Sequence, residues 1–329
     1  MKIEELKYAT RWVELDWDSL VRYHSISKGE PLNTGVDDGV GELMERMQEF
    51  EVVSGMRIVG MGCNGIATDG TVEDKMTWLE KEVWSGGSCV WMKSRNDIAA
   101  KEDVYVMEKE EFVRVVRELT KWMEKKEGLL KLPEKWIVIE GETFALPALV
   151  GNDDNVVRYG QYGDMQMYML GLMNLISKEK PSSAELEQLR MYRNGFLSTL
   201  MLPTVVEKRE DGSERRRILK YDRNEREFVA EKMDKAPVWL FSLLWHLVQS
   251  CLAYYHGRFP DLIGGGTSKN GKKNTDMYVA KLGTDNAVMK YAGYPSVEVV
   301  NDEPVGVILE RLDAMAKESK EWEKAKRKR

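Results

Sequence analysis

Residues able to do chemistry gather in a few short segments of this chain. Gly60-Met61-Gly62-Cys63-Asn64-Gly65 fits G-x-G-x-x-G and follows the apolar run 56–59. In that pattern the glycines let backbone approach a pyrophosphate at a helix N-terminus. A second apolar run, 88–92, leads into Lys93-Ser94-Arg95, where an NADP enzyme needs a cation for the 2′-phosphate. One reading is therefore an NADP-dependent, Rossmann-like oxidoreductase using Gly60, Gly62, Gly65 and Arg95. It requires a parallel sheet that starts with strand 56–60. The turn-forming Asp69-Gly70 weighs against it, because the helix should open at the third glycine.

Gly266 to Lys273 comes close to the phosphate loop G-x-x-x-x-G-K-[ST], but Lys273 stands where a hydroxyl should hold Mg²⁺. Lys269, Lys272 and Lys273, with no acid between them, suit a phosphate backbone better than nucleotide hydrolysis. The segment 205–226 alternates cations with acids around Asp211-Gly212, a turn signal, and reads as a β-hairpin. Alternation along a strand puts Arg215 and Arg217 on one face, with Lys220 just beyond. Arg158 lies near Tyr159, Tyr162 and Tyr168, and Arg190 and Arg193 flank Tyr192. Aromatics beside arginine suit single-stranded nucleic acid, because bases stack while phosphates pair.

Nucleophilic chemistry lacks its parts. Of the 3 histidines, His246 sits in an apolar helix, and Cys251 is out of helical phase with both His246 and His256. No His/Cys spacing fits a metal, and Asp37-Asp38 and Asp153-Asp154 sit where caps and turns are expected. We expect no catalytic residues, no metal and no cofactor.

Net charge is −6, so the molecule as a whole is not a basic binder, yet local patches decide contacts. Residues 317–329 form a basic tail, whose cations also suit a helix C-terminus. The 3 cysteines are too few for a disulfide framework, and the acidic, amphipathic start lacks a signal-peptide core. A reducing, cytoplasmic setting is the simplest reading. Abundant Met (19) and Trp (10), with scarce Pro (9), follow G-rich, C-poor codons and hint at a viral genome.

The elements that must position these residues read as mainly α with minor β, two-lobed, with a few short strands and the hairpin. Apolar spacing of three, four and seven predicts helices over 3–24, 36–53 and 108–126. Thr71 caps an expected helix to Trp84, and strands are expected at 56–60, 88–92, 104–107 and 136–139. The turn-rich stretch 151–164 marks a boundary, giving domains 1–155 and 156–329. Residues 165–176 are apolar all round, which predicts a fully buried helix. Ser182 or Ser183 caps the next helix. A long apolar helix follows Pro237, and its central His246, Gln249 and Ser250 favour a core helix over a membrane span. Strands are expected at 277–281 and 297–300. A last amphipathic helix from Pro304 carries Ile308, Leu312, Met315 and Trp322.

Together these features favour a non-enzymatic nucleoprotein or capsid-type protein. It would bind single-stranded RNA through Arg158, Arg190, Arg193, Arg215, Arg217, Lys220, Lys269, Lys272 and Lys273. It would form homo-oligomers through its terminal helices, with no membrane partner. A protein-interaction module without nucleic acid is the further alternative.

Overall fold

Asp16 starts helix α1 (Trp17–Ser25) by accepting a hydrogen bond from the Ser19 amide at 2.7 Å. The structure, a computed structural model, describes residues 9–26, 38–63, 88–94, 105–124, 128–151, 153–176, 181–209, 212–263 and 277–327. Of the expected helix over 3–24, residues 3–8 lie outside the described residues, and the described part is broken before Trp17. Leu15 and Asp16 are extended, because an aspartate gains more by capping from outside a helix than by sitting within one. The expected helix 71–84 lies outside the described residues, as do Gly65, Arg95, Lys269, Lys272 and Lys273.

The chain divides into two compact units, 1–126 and 127–329. Both are mainly helical, with antiparallel strands in two small sheets.

In the first unit, α2 (Asp38–Ser54) ends at Gly55, whose φ of +63° suits a residue without a Cβ. Strands β1 (Met56–Cys63), β2 (Ser88–Ser94) and β3 (Tyr105–Glu108) form a sheet in the order β1-β2-β3. Helix α3 (Lys109–Thr120) follows and buries Phe112, Val115, Val116 and Leu119. Phe112 meets Phe50 of α2 edge-on at 5.4 Å. Trp12 packs against Tyr23 and Trp122, which closes the core around α1.

This sheet overturns the dinucleotide reading. Both pairings, β1 with β2 and β2 with β3, are antiparallel. Gly60 and Gly62 lie inside β1, opposite Trp91 and Cys89, not in a strand-to-helix turn. The register shifts between Ile58 and Gly60, so the first glycine follows a bulge. Amides along an extended strand alternate in direction, so they cannot converge on a pyrophosphate as those of a strand-to-helix turn do.

In the second unit, β4 (Trp136–Ile139) and β5 (Glu142–Ala145) form a hairpin. Its turn residues Glu140 and Gly141 have φ of 50° and 82°, the hand that suits twisted strands. Helices α4 (Tyr159–Ile176) and α5 (Ser183–Leu200) come next; α5 opens with a capping box between Ser182 and Glu185. Strands β6 (Leu202–Lys208) and β7 (Glu214–Ile218) complete a sheet ordered β4-β5-β6-β7. The expected hairpin is present, and Gly212 at its tip has φ of 79°. Then come α6 (Arg226–Lys232), α7 (Val238–Arg258), α8 (Pro260–Ile263), α9 (Met277–Ala292), α10 (Val297–Asp302) and α11 (Val305–Arg327).

The stretch 151–164 is internal to this unit. Val157 donates to Ala148 at 2.8 Å and accepts from the Val305 amide at 3.0 Å, which ties it between two other segments. The expected strands at 277–281 and 297–300 are helical (α9 and α10). Propensity for β structure reflects fit to a half-buried pleat, and no strand among the described residues pairs with these valines. Helix α4 is not buried all round: Met167, Leu170, Met173 and Ile176 are exposed. Trp322, on the last helix, is exposed as well (71%). Helix α7 alone among the described helices is long and apolar enough to cross a membrane by length and composition. Half of its most apolar stretch is buried, and His246 and Ser250 are buried with it.

Helices α4 and α5 meet through a reciprocal contact. A Cβ on Gly171 would lie 2.8 Å from the Tyr192 ring, and one on Gly195 would fall inside the envelope of Tyr168. Each glycine makes room for the other helix's tyrosine, so the two backbones approach closely.

Candidate nucleic-acid interface

Seven cations and five carboxylates of the second unit line two adjoining concavities beside β7. The larger, about 610 Å³, is bordered by Arg158, Lys220 and Arg223. The smaller, about 420 Å³, is bordered by Lys135, Trp136 and Arg215 to Arg217. Asp154 and Ile218 line both, so the two adjoin and are taken together as the cleft.

Local structure explains how each group reaches it. Arg158 bridges to Pro304, and the neighbouring Tyr159 amide donates to Glu303 at 2.9 Å. The Arg158 amide donates to the side chain of buried Gln161, which in turn donates to the Thr199 carbonyl at 2.5 Å. The Arg158 backbone is thus fixed at the start of α4 by contacts with Gln161 and Pro304. On β7, pairing with β6 puts Val206 opposite Arg216 and Glu207 opposite Arg215. Arg217 donates to Glu207 at 2.6 Å. Arg216 sits 5.7 Å from the centre of the Trp136 ring, within cation–π range.

Below the larger concavity lies a polar anchor. Asp164 is almost fully buried and accepts from the Tyr221 hydroxyl at 2.7 Å and from Arg223 Nε at 2.9 Å. Arg226 Nη1 is 3.8 Å away and lies 5.0 Å over the Tyr168 ring. Burial, reinforced by Asp164, raises the Tyr221 pKa and keeps the phenol a donor. Tyr221 and Arg223 donating to one carboxylate, with Arg226 as a nearby countercharge, hold the β7–α6 connection against α4.

Four of the predicted cations meet in this cleft: Arg158, Arg215, Arg217 and Lys220. Lys220 pairs with Asp302 at 3.3 Å, both well exposed, and such a surface pair exchanges readily for a phosphate. Lys135, Arg158, Arg215 and Arg216 make no ion pair with another described residue. Arg190 and Arg193 lie elsewhere. Arg190 grips Asp234 with two hydrogen bonds, and Arg193 donates to the Ala236 carbonyl at 2.6 Å. The Arg190 hydrogen bond, then that of Asn194, holds the Asp234 carboxyl down to about 2. Both arginines fasten the corner after α6.

The expected aromatic partners are core instead. Tyr159 and Tyr162 are buried, with the Tyr162 hydroxyl pushed up to about 12 by desolvation, while Tyr168 and Tyr192 fill the glycine notches. Trp136 and Tyr221 provide the aromatic surface of the cleft. Sequence reasoning passed over both, and over Lys135, because nothing in their spacing links β4 to β7.

Other chemistry finds little support among the described residues. Cys251 is buried, and desolvation pushes its thiol up to about 12, so it is not a thiolate near neutral pH. No group of His, Cys, Asp and Glu among the described residues is arranged to hold a metal. Comparison with protein-family models, curated proteins and solved structures gave no match.

Proposed function

We propose that this chain is a non-enzymatic nucleic-acid-binding protein of nucleoprotein or capsid type that holds single-stranded RNA against the β7 cleft and self-assembles. One observation carries the reading: cations from the β4 edge, the start of α4, β7 and the segment after it line the two adjoining concavities. Arg158, Arg215 and Arg216 there form no ion pair with a described carboxylate, and the seven cations of the two concavities outnumber the five carboxylates (Asp153, Asp154, Asp164, Glu298 and Asp302) that line them too. Such a surface neutralises a phosphate backbone and releases counterions on binding.

Fluorescence anisotropy with a labelled single-stranded RNA between about 50 and 200 mM salt tests it. Affinity should fall steeply as salt rises, and freshly purified protein should carry nuclease-sensitive absorbance. Salt-independent or absent binding overturns the proposal.

Self-assembly draws support from the exposed Trp322 near the C-terminal end of α11. Light scattering after size exclusion should give a mass above that of one chain. A second reading, a protein-interaction module without nucleic acid, is favoured by exposed Met167, Leu170 and Met173 on α4 and Leu186 and Met191 on α5. The same RNA titration separates the two.

A further inference from the structure

We infer that the exposed face of α4 packs against the same face of a second copy of this chain, across a two-fold axis near Leu170. This rests on the self-assembly in the proposed function and names the surface that carries it.

The face is apolar and open. Met167, Leu170, Met173 and Ile176 on α4, with Met191 on α5, are each 41–59% exposed. Tyr192 fills the notch at Gly171, which sets its neighbour Met191 beside the α4 stripe. These five side chains leave roughly 450 Å² of apolar surface in water, a patch of the size that marks an interaction surface. A two-fold contact removes that area from both copies, and with its rim it reaches the ~1,000 Å² of a specific interface. Gly163, Met167, Leu170 and Asn174 recur at four, three and four residues, the spacing with which one helix interdigitates with another.

Charge selects the occupant. The chain is 32% charged, yet Asp164 is the only charged residue among the 18 of α4, and it is buried. Across a two-fold axis a surface meets itself, so exposed charge there would face its own kind. A face without charge is self-complementary. A partner of a different kind is steered and held by opposite charge, and α4 offers none. Net charge is −6, so two copies repel at long range and approach best through a neutral face. The axis sets Met167 of one copy near Met173 of the other, and the two α4 helices run antiparallel with their dipoles opposed.

The test is light scattering after size exclusion, on the full chain freed of nucleic acid by nuclease and high salt. The natural chain should show twice the 37.9 kDa of one chain, or an even multiple of it. Leu170→Glu and Leu170→Lys, each checked for folding by circular dichroism, should each halve that mass. An equal mixture of the two should restore it, because Glu and Lys then meet across the axis. Should the Leu170 variants fail to fold, Met167→Lys mixed with Met173→Glu takes their place. A natural chain that stays single overturns the contact and self-assembly together. An unchanged mass in folded Leu170→Glu, a mixture that restores nothing, or a mass made up by a second polypeptide overturns the α4 contact. RNA binding is read separately by anisotropy. A dimer that behaves as expected but shows no salt-dependent RNA binding overturns the nucleic-acid reading and leaves the α4 contact standing.

Discussion

At the scale of single residues, the cleft depends on which charges are already satisfied. Arg215 faces solvent beside β7 and Lys220 is held only by an exposed pair with Asp302, so each can take one phosphate. Charge removal in Arg215→Ala/Lys220→Ala should lower the magnitude of the log–log salt slope by about 0.7 per cation, measured by anisotropy at several salt concentrations. Asp164 plays the opposite part, because its charge is engaged inside the protein. Asp164→Asn would leave Arg226, whose side chain is only 17% exposed, without its countercharge. We expect a loss of roughly 2 kcal/mol of stability by urea denaturation, below the range for a fully buried pair because Arg223 is half-exposed. Asp234 makes a pH-dependent contribution. Its folded pKa, about 2, lies below the usual aspartate value, so the Arg190 pair stabilises the fold fully above about pH 4. That contribution fades as pH falls toward 2. Asp234→Asn should therefore be less stable than the natural chain at pH 6, and the two denaturation midpoints should converge near pH 2.

At the scale of elements, the α4–α5 pair frames the cleft, since α4 supplies Asp164 and begins beside Arg158. Their contact rests on glycines that a helix would ordinarily avoid, at a propensity cost of about 1 kcal/mol each relative to alanine. Packing reverses the usual preference here. Gly195→Ala should destabilise, because its methyl meets the Tyr168 ring, and Tyr168 cannot move without disturbing Arg226. A cost of about 1–3 kcal/mol is expected, read by calorimetry as a fall in Tm of roughly 2–10 °C. The elements were legible where the local pattern was strong. The amphipathic stripe of α3, the Ser182 cap and the Asp-Gly hairpin all follow from nearest neighbours. Val297 to Val300 shows the limit: three valines favour a strand only when a partner strand exists, and here the chain folds as α10.

At the scale of the whole molecule, the two units have separate cores. The first is built on Phe50, Phe112 and Trp12, the second around α4, α5 and α7. Every residue of the cleft belongs to the second unit. A fragment covering 127–329 should therefore fold alone and bind RNA with the salt slope of the full chain. Circular dichroism and the same anisotropy titration check this. The apolar side chains left exposed on α4, α5 and the end of α11 belong to this scale as well, because no element of the described chain covers them.

The sequence by itself determined the mainly helical character, the basic hairpin and four of the cations now found in the cleft. Those features depend on residue type and on spacings within one turn or one strand. Only the tertiary structure decided the rest. It paired β1 antiparallel with β2, which removed the dinucleotide site. It drew Arg190 and Arg193 onto Asp234 and a backbone carbonyl, and it packed Tyr168 and Tyr192 into glycine notches. It also brought Trp136 to Arg216 across eighty residues of chain. Strand direction and the pairing of charges depend on groups distant in sequence, and local patterns carry no record of which distant group will arrive.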